Sequence, residues 1–250
     1  MRETVDNNAG HDAAVAGMFG TISRFYDFLN HFLSLGIDRT WRRALALSVK
    51  QENGALLLDL AAGTLDVSIA LRKQHPDSLV LALDFCPSML AIGQKKCRNK
   101  GITRIVPIVA DAKRVPLPDE SVDAITIAFG IRNILPRSEA FYEMLRVLRP
   151  GGRVSILEFG SGKERIAYGL YNWYLNTLLP RIGHFFSRDK QAYRYLAETI
   201  TAFPAADAFE AEMRAAGFVN TGYRKLTGGI VCLHTGEKIG PTTESCAQTK

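Results

Sequence analysis

Two hydrophobic periods alternate along this chain. From about residue 55 onward, short continuous apolar runs give way repeatedly to longer stretches with helical spacing. Residues 55–61 (ALLLDLA) predict a first strand that ends in small residues, and a helical stretch begins at Thr64. Leu79–Asp84 (LVLALD) predicts a second strand. Pro87 then opens a helix that runs through Asn99, where proline suits the first turn because that amide has no partner anyway. Residues 104–109 and 124–129 (AITIAF) predict the third and fourth strands, and 137–148 a helix. Pro150-Gly151-Gly152 predicts a turn before a fifth strand at 153–159. Helices are expected over 15–32, 40–50, 163–182, 191–202 and 205–216, and two closing strands over 218–225 and 230–234.

Continuously apolar strands separated by helices belong to a parallel sheet covered on both faces. The expected fold is α/β and doubly wound, a mostly parallel seven-stranded sheet of Rossmann-like type with helical additions at the start and in the middle of the chain. Such sheets bind ligands at the carboxyl ends of their strands. The expected organisation is a flexible start over 1–14, one domain over 15–235 with a helical insertion around 163–203, and a flexible tail over 236–250.

The strand ends carry the candidate chemistry. The first strand leads into Asp59-Leu60-Ala61-Ala62-Gly63-Thr64, which has one glycine where a dinucleotide site wants G-x-G-x-x-G. A pyrophosphate is therefore poorly served. A ligand with an amino-acid tail suits this turn better, held by backbone around Ala61 and Gly63 with Asp59 supplying negative charge. Asp84 ends the second strand, where a carboxylate can accept from both hydroxyls of a ribose. Asp111 follows the third strand, placed to accept from an adenine amino group while the amide of Ala112 donates to the ring. Each acid alone has a structural alternative, such as a favourable charge at a helix N-terminus. Three acids after three successive strands point together to an adenosyl group.

Charge and composition change this picture little. Lys and Arg number 31 against 25 Asp and Glu, a net charge of +6. The charges are dispersed, as on ordinary soluble enzymes, and no basic run marks a nucleic-acid binder. The four cysteines form no C-x-x-C pair and have no histidines at ligand spacing, so neither a structural metal nor a disulfide framework is expected. Reduced thiols suit a cytoplasmic setting. The polar stretch from Met1 to His11 lacks the apolar core of a secretory signal, and no apolar run approaches the ~20 residues of a membrane-crossing helix.

The segments DLAAGT, ALDFCPSML, VADAKRVPLPDESVDAITIAFGIRN and EMLRVLRPGGRVSILEF together resemble the class I S-adenosylmethionine (SAM) methyltransferases. Narrower segments resemble the menaquinone/ubiquinone biosynthesis C-methyltransferase family. These are Phe25-Tyr26-Asp27 with Asn30, Ser34-Leu35-Gly36-Ile37-Asp38-Arg39, Trp41-Arg42-Arg43, Phe129-Gly130-Ile131-Arg132-Asn133, Leu179-Pro180-Arg181-Ile182-Gly183 and Tyr193-Arg194-Tyr195-Leu196. The resemblance implies SAM as cofactor, with S-adenosylhomocysteine as product, and Thr64, Asp84, Asp111 and Ala112 among the residues that hold it. This chain departs from the family's pattern at Ala128, where many members have serine, and at Leu65, where glycine is usual. Glycine there tolerates positive φ; the expectation for leucine is a Cβ and an isobutyl group entering the cofactor turn and weakening its hold.

The resemblance also implies a prenylated quinol as substrate, either demethylmenaquinol or a 2-methoxy-6-polyprenyl-1,4-benzoquinol, methylated on a ring carbon. Arg132 would stabilise the developing phenolate, while Asn133 and Tyr26 position its hydroxyl or a water. A structural ion pair with an acid such as Glu158 is the competing role for Arg132, and core packing the competing role for Tyr26. The proton acceptor is open between water, Asp27 and Glu158. No metal is required. His31 and His184 read as packing residues, Cys86 as a small buried side chain, and Arg42 and Arg43 as facing water or pairing locally. The aromatic stretch 163–182 reads as core packing, with a lid over a prenyl tunnel or a peripheral contact with the inner face of the membrane as its functional alternatives. Homodimerisation is left open. The alternatives to C-methylation are O-methylation of another small phenol and a non-catalytic scaffold in a quinone-synthesis complex.

Overall fold

The computed structural model describes residues 34, 36–50, 54–160, 195 and 198–240. The segments expected as a flexible start and as helices over 15–32 and 163–182 lie outside the described residues, as do Tyr26, Asp27, His31 and His184. The described elements are α1 (Asp38–Ser48), β1 (Leu56–Leu60), α2 (Asp66–Gln74), β2 (Leu79–Asp84), α3 (Pro87–Asn99), β3 (Ile105–Val109), β4 (Val122–Ala128), α4 (Arg137–Val147), β5 (Leu148–Phe159), α5 (Ala206–Ala216), β6 (Val219–Leu226) and β7 (Val231–Glu237). Of the segment expected as a helix over 191–202, Tyr195 and residues 198–202 are described, and they are helical.

Seven strands form one sheet in the order β3-β2-β1-β4-β5-β7-β6. The first five run parallel, and β7 pairs antiparallel with both β5 and β6. Chain order reverses between β1 and β4, which creates the crevice where a doubly wound sheet takes its ligand.

Strand alternation assigns the two faces. Leu58, Leu60, Ile125 and Ile127 pack on one side with Phe141 and Met144 of α4 and Phe209 and Met213 of α5. Leu57, Ala124, Leu157 and Leu233 pack on the other with Trp41 and Leu45 of α1 and Val67 and Leu71 of α2. Both faces are covered, so the central strands carry apolar side chains at successive positions. Pro107 sits in β3, at the edge of the sheet, where its missing N–H removes no ladder bond to an outer neighbour.

Two differences from expectation change the sheet. The Pro150-Gly151-Gly152 turn lies inside β5 as a bulge. Val122 pairs with Leu148 and Ala124 with Arg153, so the extra length loops out of the ladder, with Gly151 at φ +79. The last strand also passes the boundary expected at residue 235, because Gly236 and Glu237 pair with Val154 and Arg153.

Candidate active site

The turn after β1 is built from alternate left-handed residues. Ala61, Gly63 and Leu65 have φ of 51°, 53° and 67°. This winding carries the chain up from the sheet and back into α2, closed by the Leu65 amide donating to the Ala62 carbonyl at 2.9 Å. The amide of Ala62 also donates to the carbonyl of Leu83 at 3.0 Å, which ties the turn to the end of β2.

Asp84 completes that tie with its side chain. Its Oδ2 accepts from the Gly63 amide and its Oδ1 from the Cys86 amide, both at 2.8 Å. Burial pushes the carboxyl pKa up, and the two backbone hydrogen bonds oppose that rise. Each carboxylate oxygen has further lone-pair capacity, so Asp84 can still accept from a diol. Asp111, beyond β3, uses Oδ1 to accept from the Lys113 amide at 2.8 Å, and its side chain is 44% exposed. The Asx turn leaves the second oxygen, Oδ2, 4.0 Å from Lys113 Nζ.

One cavity lies over these strand ends. Gly63, Asp84, Asp111, Ala112 and Asn133 all line it, so the structure brings these five expected residues together. Leu83, Phe85, Met89 and Ile134 give it apolar walls, and Ala128 stands at the end of β4. Gly130 closes the approach between two loops: a Cβ there would stand 2.5 Å from the Ala61 Cβ. Only glycine allows the β4 loop so near the β1 turn. Met89, Cys86, Phe129 and Lys113 also line the cavity, and sequence reasoning did not select them. The signal for Gly130 and Phe129 was present in the quoted F-G-I-R-N segment.

Five expectations need correction or refinement. Asp59 does not line the cavity. It is buried within the sheet, where Ser68 Oγ donates to Oδ2 at 2.6 Å and Thr126 Oγ1 to Oδ1 at 2.9 Å. Burial pushes its pKa up to about 7, against those two hydrogen bonds. Its place is under the site, bracing β1 against α2 and β4. Thr64 is likewise buried and off the wall, its hydroxyl 3.3 Å from Lys96 Nζ.

Arg132 makes the ion pair that competed with its catalytic role. Its Nη1 donates to Glu158 Oε1 and to the Phe129 carbonyl, both at 2.6 Å. Glu158 is fully buried, Arg132 is not on the cavity wall, and its guanidinium lies over the Phe159 ring. Phe129 and Phe159, tilted at 36° with ring centroids 4.7 Å apart, pack with Trp41 behind the β4 loop. The reason is geometric: η1 of the loop, the short helical turn Ile131–Asn133, turns position 132 toward β5 and position 133 toward the cavity.

Leu65 has the positive φ that its position demands, but its side chain does not enter the cavity. It is buried among Ala62, Ile69, Leu90 and Cys97, on the side of the turn that faces α3. Arg42, expected to face water or pair locally, is buried and bridges Asp38 on its own helix to Asp66 at the start of α2. Lys96 meets the same Asp66 at 2.5 Å. This ionic row anchors α1 to the base of the turn after β1.

Comparisons with known proteins point to one family. The family model described as the ubiE/COQ5 methyltransferase family matches residues 7–238. A ubiquinone/menaquinone biosynthesis C-methyltransferase UbiE from Geobacter sulfurreducens is 41% identical over 226 residues, covering 90% of this chain and 88% of that protein. The protein of the same description from Geotalea daltonii is 44% identical over 223 residues, covering 88% and 94%. Among solved structures, a SAM-dependent methyltransferase from Aquifex aeolicus superposes with a TM-score of 0.59 at 16% identity, covering 79% of this chain and 89% of that one. A phosphoethanolamine N-methyltransferase 2 from Haemonchus contortus, in complex with SAM, gives 0.59 at 14% identity, covering 86% and 60%. These two structural likenesses establish the fold.

Proposed function

The chain belongs to the ubiE/COQ5 methyltransferase family, and on that premise we propose that its cavity holds SAM and serves methylation of a ring carbon in a prenylated quinol of menaquinone or ubiquinone biosynthesis. The observation that carries this reading is the tie of Asp84 to the Gly63 and Cys86 amides at the point where the sheet order reverses. That tie fixes a carboxylate with spare acceptor capacity beside the left-handed turn at Gly63, which suits a ribose next to an amino-acid tail.

The residues present fit the group. Asp84 would accept from the ribose hydroxyls, and Asp111 with the Ala112 amide would take the adenine edge. The backbone of Ala61 and Gly63 would receive the amino-acid tail. Cavity-lining Phe85 and Met89 offer apolar surface to the base and sugar. When bound, SAM supplies a sulfonium methyl: the ring carbon forms a C–C bond to it as the S–C bond breaks and leaves its electron pair on sulfur. The chain's task is then orientation, exclusion of water and hydrogen bonding to the phenolic oxygen. Asn133 is on the cavity wall beside Gly130, and in this reading it meets that oxygen. Arg132 acts from behind by holding the Phe129 carbonyl against Glu158. The ring carbon gains nucleophilic character when the quinol hydroxyl ionises, and loss of its own proton after methyl transfer restores aromaticity.

We read the methyltransferase unit as beginning near residue 15 and ending with β7 at Glu237. No helix among the described residues is long and apolar enough to cross a membrane, and peripheral contact with the bilayer is our reading of how a prenyl-tailed substrate reaches the cavity. Vesicle flotation at low and high salt tests that contact; loss of binding at both removes it. The reaction itself is tested with methyl-labelled SAM on demethylmenaquinol and on the methoxy-benzoquinol. Label on a ring carbon of either product supports the reading, and label on oxygen overturns it.

A further inference from the structure

Asn133 lines the cavity and is held from outside it. The hydroxyl of Tyr195 donates to Asn133 Oδ1 at 3.1 Å, across 62 positions of sequence. Tyr195 is helical, and its carbonyl accepts from Thr199 Oγ1 at 2.9 Å. The Asn133 backbone is fixed independently, its amide donating to the Gly130 carbonyl at 3.0 Å.

A primary amide can turn either its carbonyl or its NH2 toward a ligand, and the choice follows from the partner on its other side. A phenolic donor on Oδ1 occupies the carbonyl and leaves the two N–H donors of Nδ2. From this we propose that Tyr195 is a positioning residue, one that sets the Asn133 amide so that its NH2 meets the substrate and selects an ionised, acceptor oxygen. The inference rests on the quinol reading above and names the group that reads the phenolate. Donation to the charged form lowers the pKa of the bound hydroxyl and raises the fraction of nucleophilic ring. An amide free to rotate would offer its carbonyl part of the time, and that orientation favours the un-ionised quinol.

The test compares wild type, Tyr195→Phe, Asn133→Ala, Asn133→Asp and the Tyr195→Phe/Asn133→Ala double variant, with demethylmenaquinol as the probe and SAM affinity measured by calorimetry. Tyr195→Phe is expected to lower kcat about tenfold, with SAM affinity changed by less than about twofold. Its rising pH limb moves to higher pH, because the phenolate is no longer favoured. The double variant is expected to be no slower than Asn133→Ala, since the hydroxyl acts only through the amide. Asn133→Asp keeps an acceptor for Tyr195 and removes the NH2, so it melts near wild type and turns over like Asn133→Ala. Undiminished turnover in Tyr195→Phe, an equal loss in both backgrounds, or wild-type turnover in Asn133→Asp overturns the inference while leaving the quinol reading intact. A wild-type protein that binds SAM and methylates neither quinol overturns the reading of the reaction, and this inference with it.

Discussion

Leu65 and Gly93 are complementary: a Cβ built on Gly93 would stand 2.3 Å from Leu65 Cγ and 2.8 Å from the carbonyl carbon of Thr64. The leucine fills the space that the glycine of α3 leaves open, and the turn after β1 rests on that contact. Gly93→Ala is expected to destabilise the fold by about 1–3 kcal/mol through overpacking. Leu65→Gly relieves roughly 1 kcal/mol of left-handed strain but removes a fully buried side chain, for a net loss of about 1–3 kcal/mol. In the Leu65→Gly background, Gly93→Ala costs less than it does alone, because only the backbone contact remains. Denaturant melts of the two single variants and the double variant measure this coupling.

Two buried groups make opposite contributions to the pH dependence of stability. Burial pushes Asp59 from 3.8 up to about 7, so its folded form binds the proton more tightly than the unfolded chain. That contribution is fully present below about pH 4 and is lost as pH rises through 7. Burial pushes His234, packed against Phe209 and Tyr223, from 6.5 down to about 4, with Asp207 opposing the change. Its folded form resists protonation, so that contribution is present above about pH 6.5 and is lost as pH falls through 4.

The two therefore offset between about pH 4 and 6.5, and the wild type shows little slope from them there. Asp59→Asn leaves the histidine alone, and its stability falls as the solution is acidified. His234→Gln leaves the aspartate alone, and its stability falls as the solution is made more alkaline. Each slope amounts to a few kcal/mol over the window, on the order set by the shifts. Urea melts at several pH values read both signs; parallel curves for the three proteins would contradict the account.

The Arg132–Glu158 pair predicts a different separation. Removing one partner leaves a buried charge without its counterion, so Arg132→Ala or Glu158→Ala is expected to cost about 3–5 kcal/mol. A paired apolar replacement, Arg132→Met with Glu158→Leu, recovers most of that stability. Turnover stays low in the paired variant, because the Phe129 carbonyl has lost its donor and the β4 loop its brace. Melting temperature and kcat measured side by side test this. Full recovery of both would make the pair a matter of stability alone.

Much of the sheet was legible in the sequence, and particular residues show why the rest was not. Leu79–Asp84 and Pro87–Asn99 have the bounds that their apolar run and opening proline announce. Asp84, Asp111 and Ala112 reach the cavity because they lie where strands end and side chains point out of the sheet. Asp59 lies one residue before its strand ends, and residue type alone does not tell which neighbour a side chain faces. Its partners Ser68 and Thr126 come from α2 and β4. The positive φ of Leu65 was readable from its position in the turn, whereas the direction of its side chain depends on Gly93, far along the chain. The turn at Pro150-Gly151-Gly152 was readable as a turn, but pairing on both sides of it, which makes it a bulge, is a property of β4.

Uptake of SAM by the wild type and by Asp84→Asn, followed by calorimetric titration, probes the center of the account. Asparagine keeps one acceptor but turns an NH2 toward a backbone amide that now donates to Asp84, and it presents a weaker acceptor to the ribose. One SAM site is expected in the wild type, and a Kd raised about a hundredfold in Asp84→Asn. Equal affinity in the two proteins, or no uptake by the wild type, would contradict it.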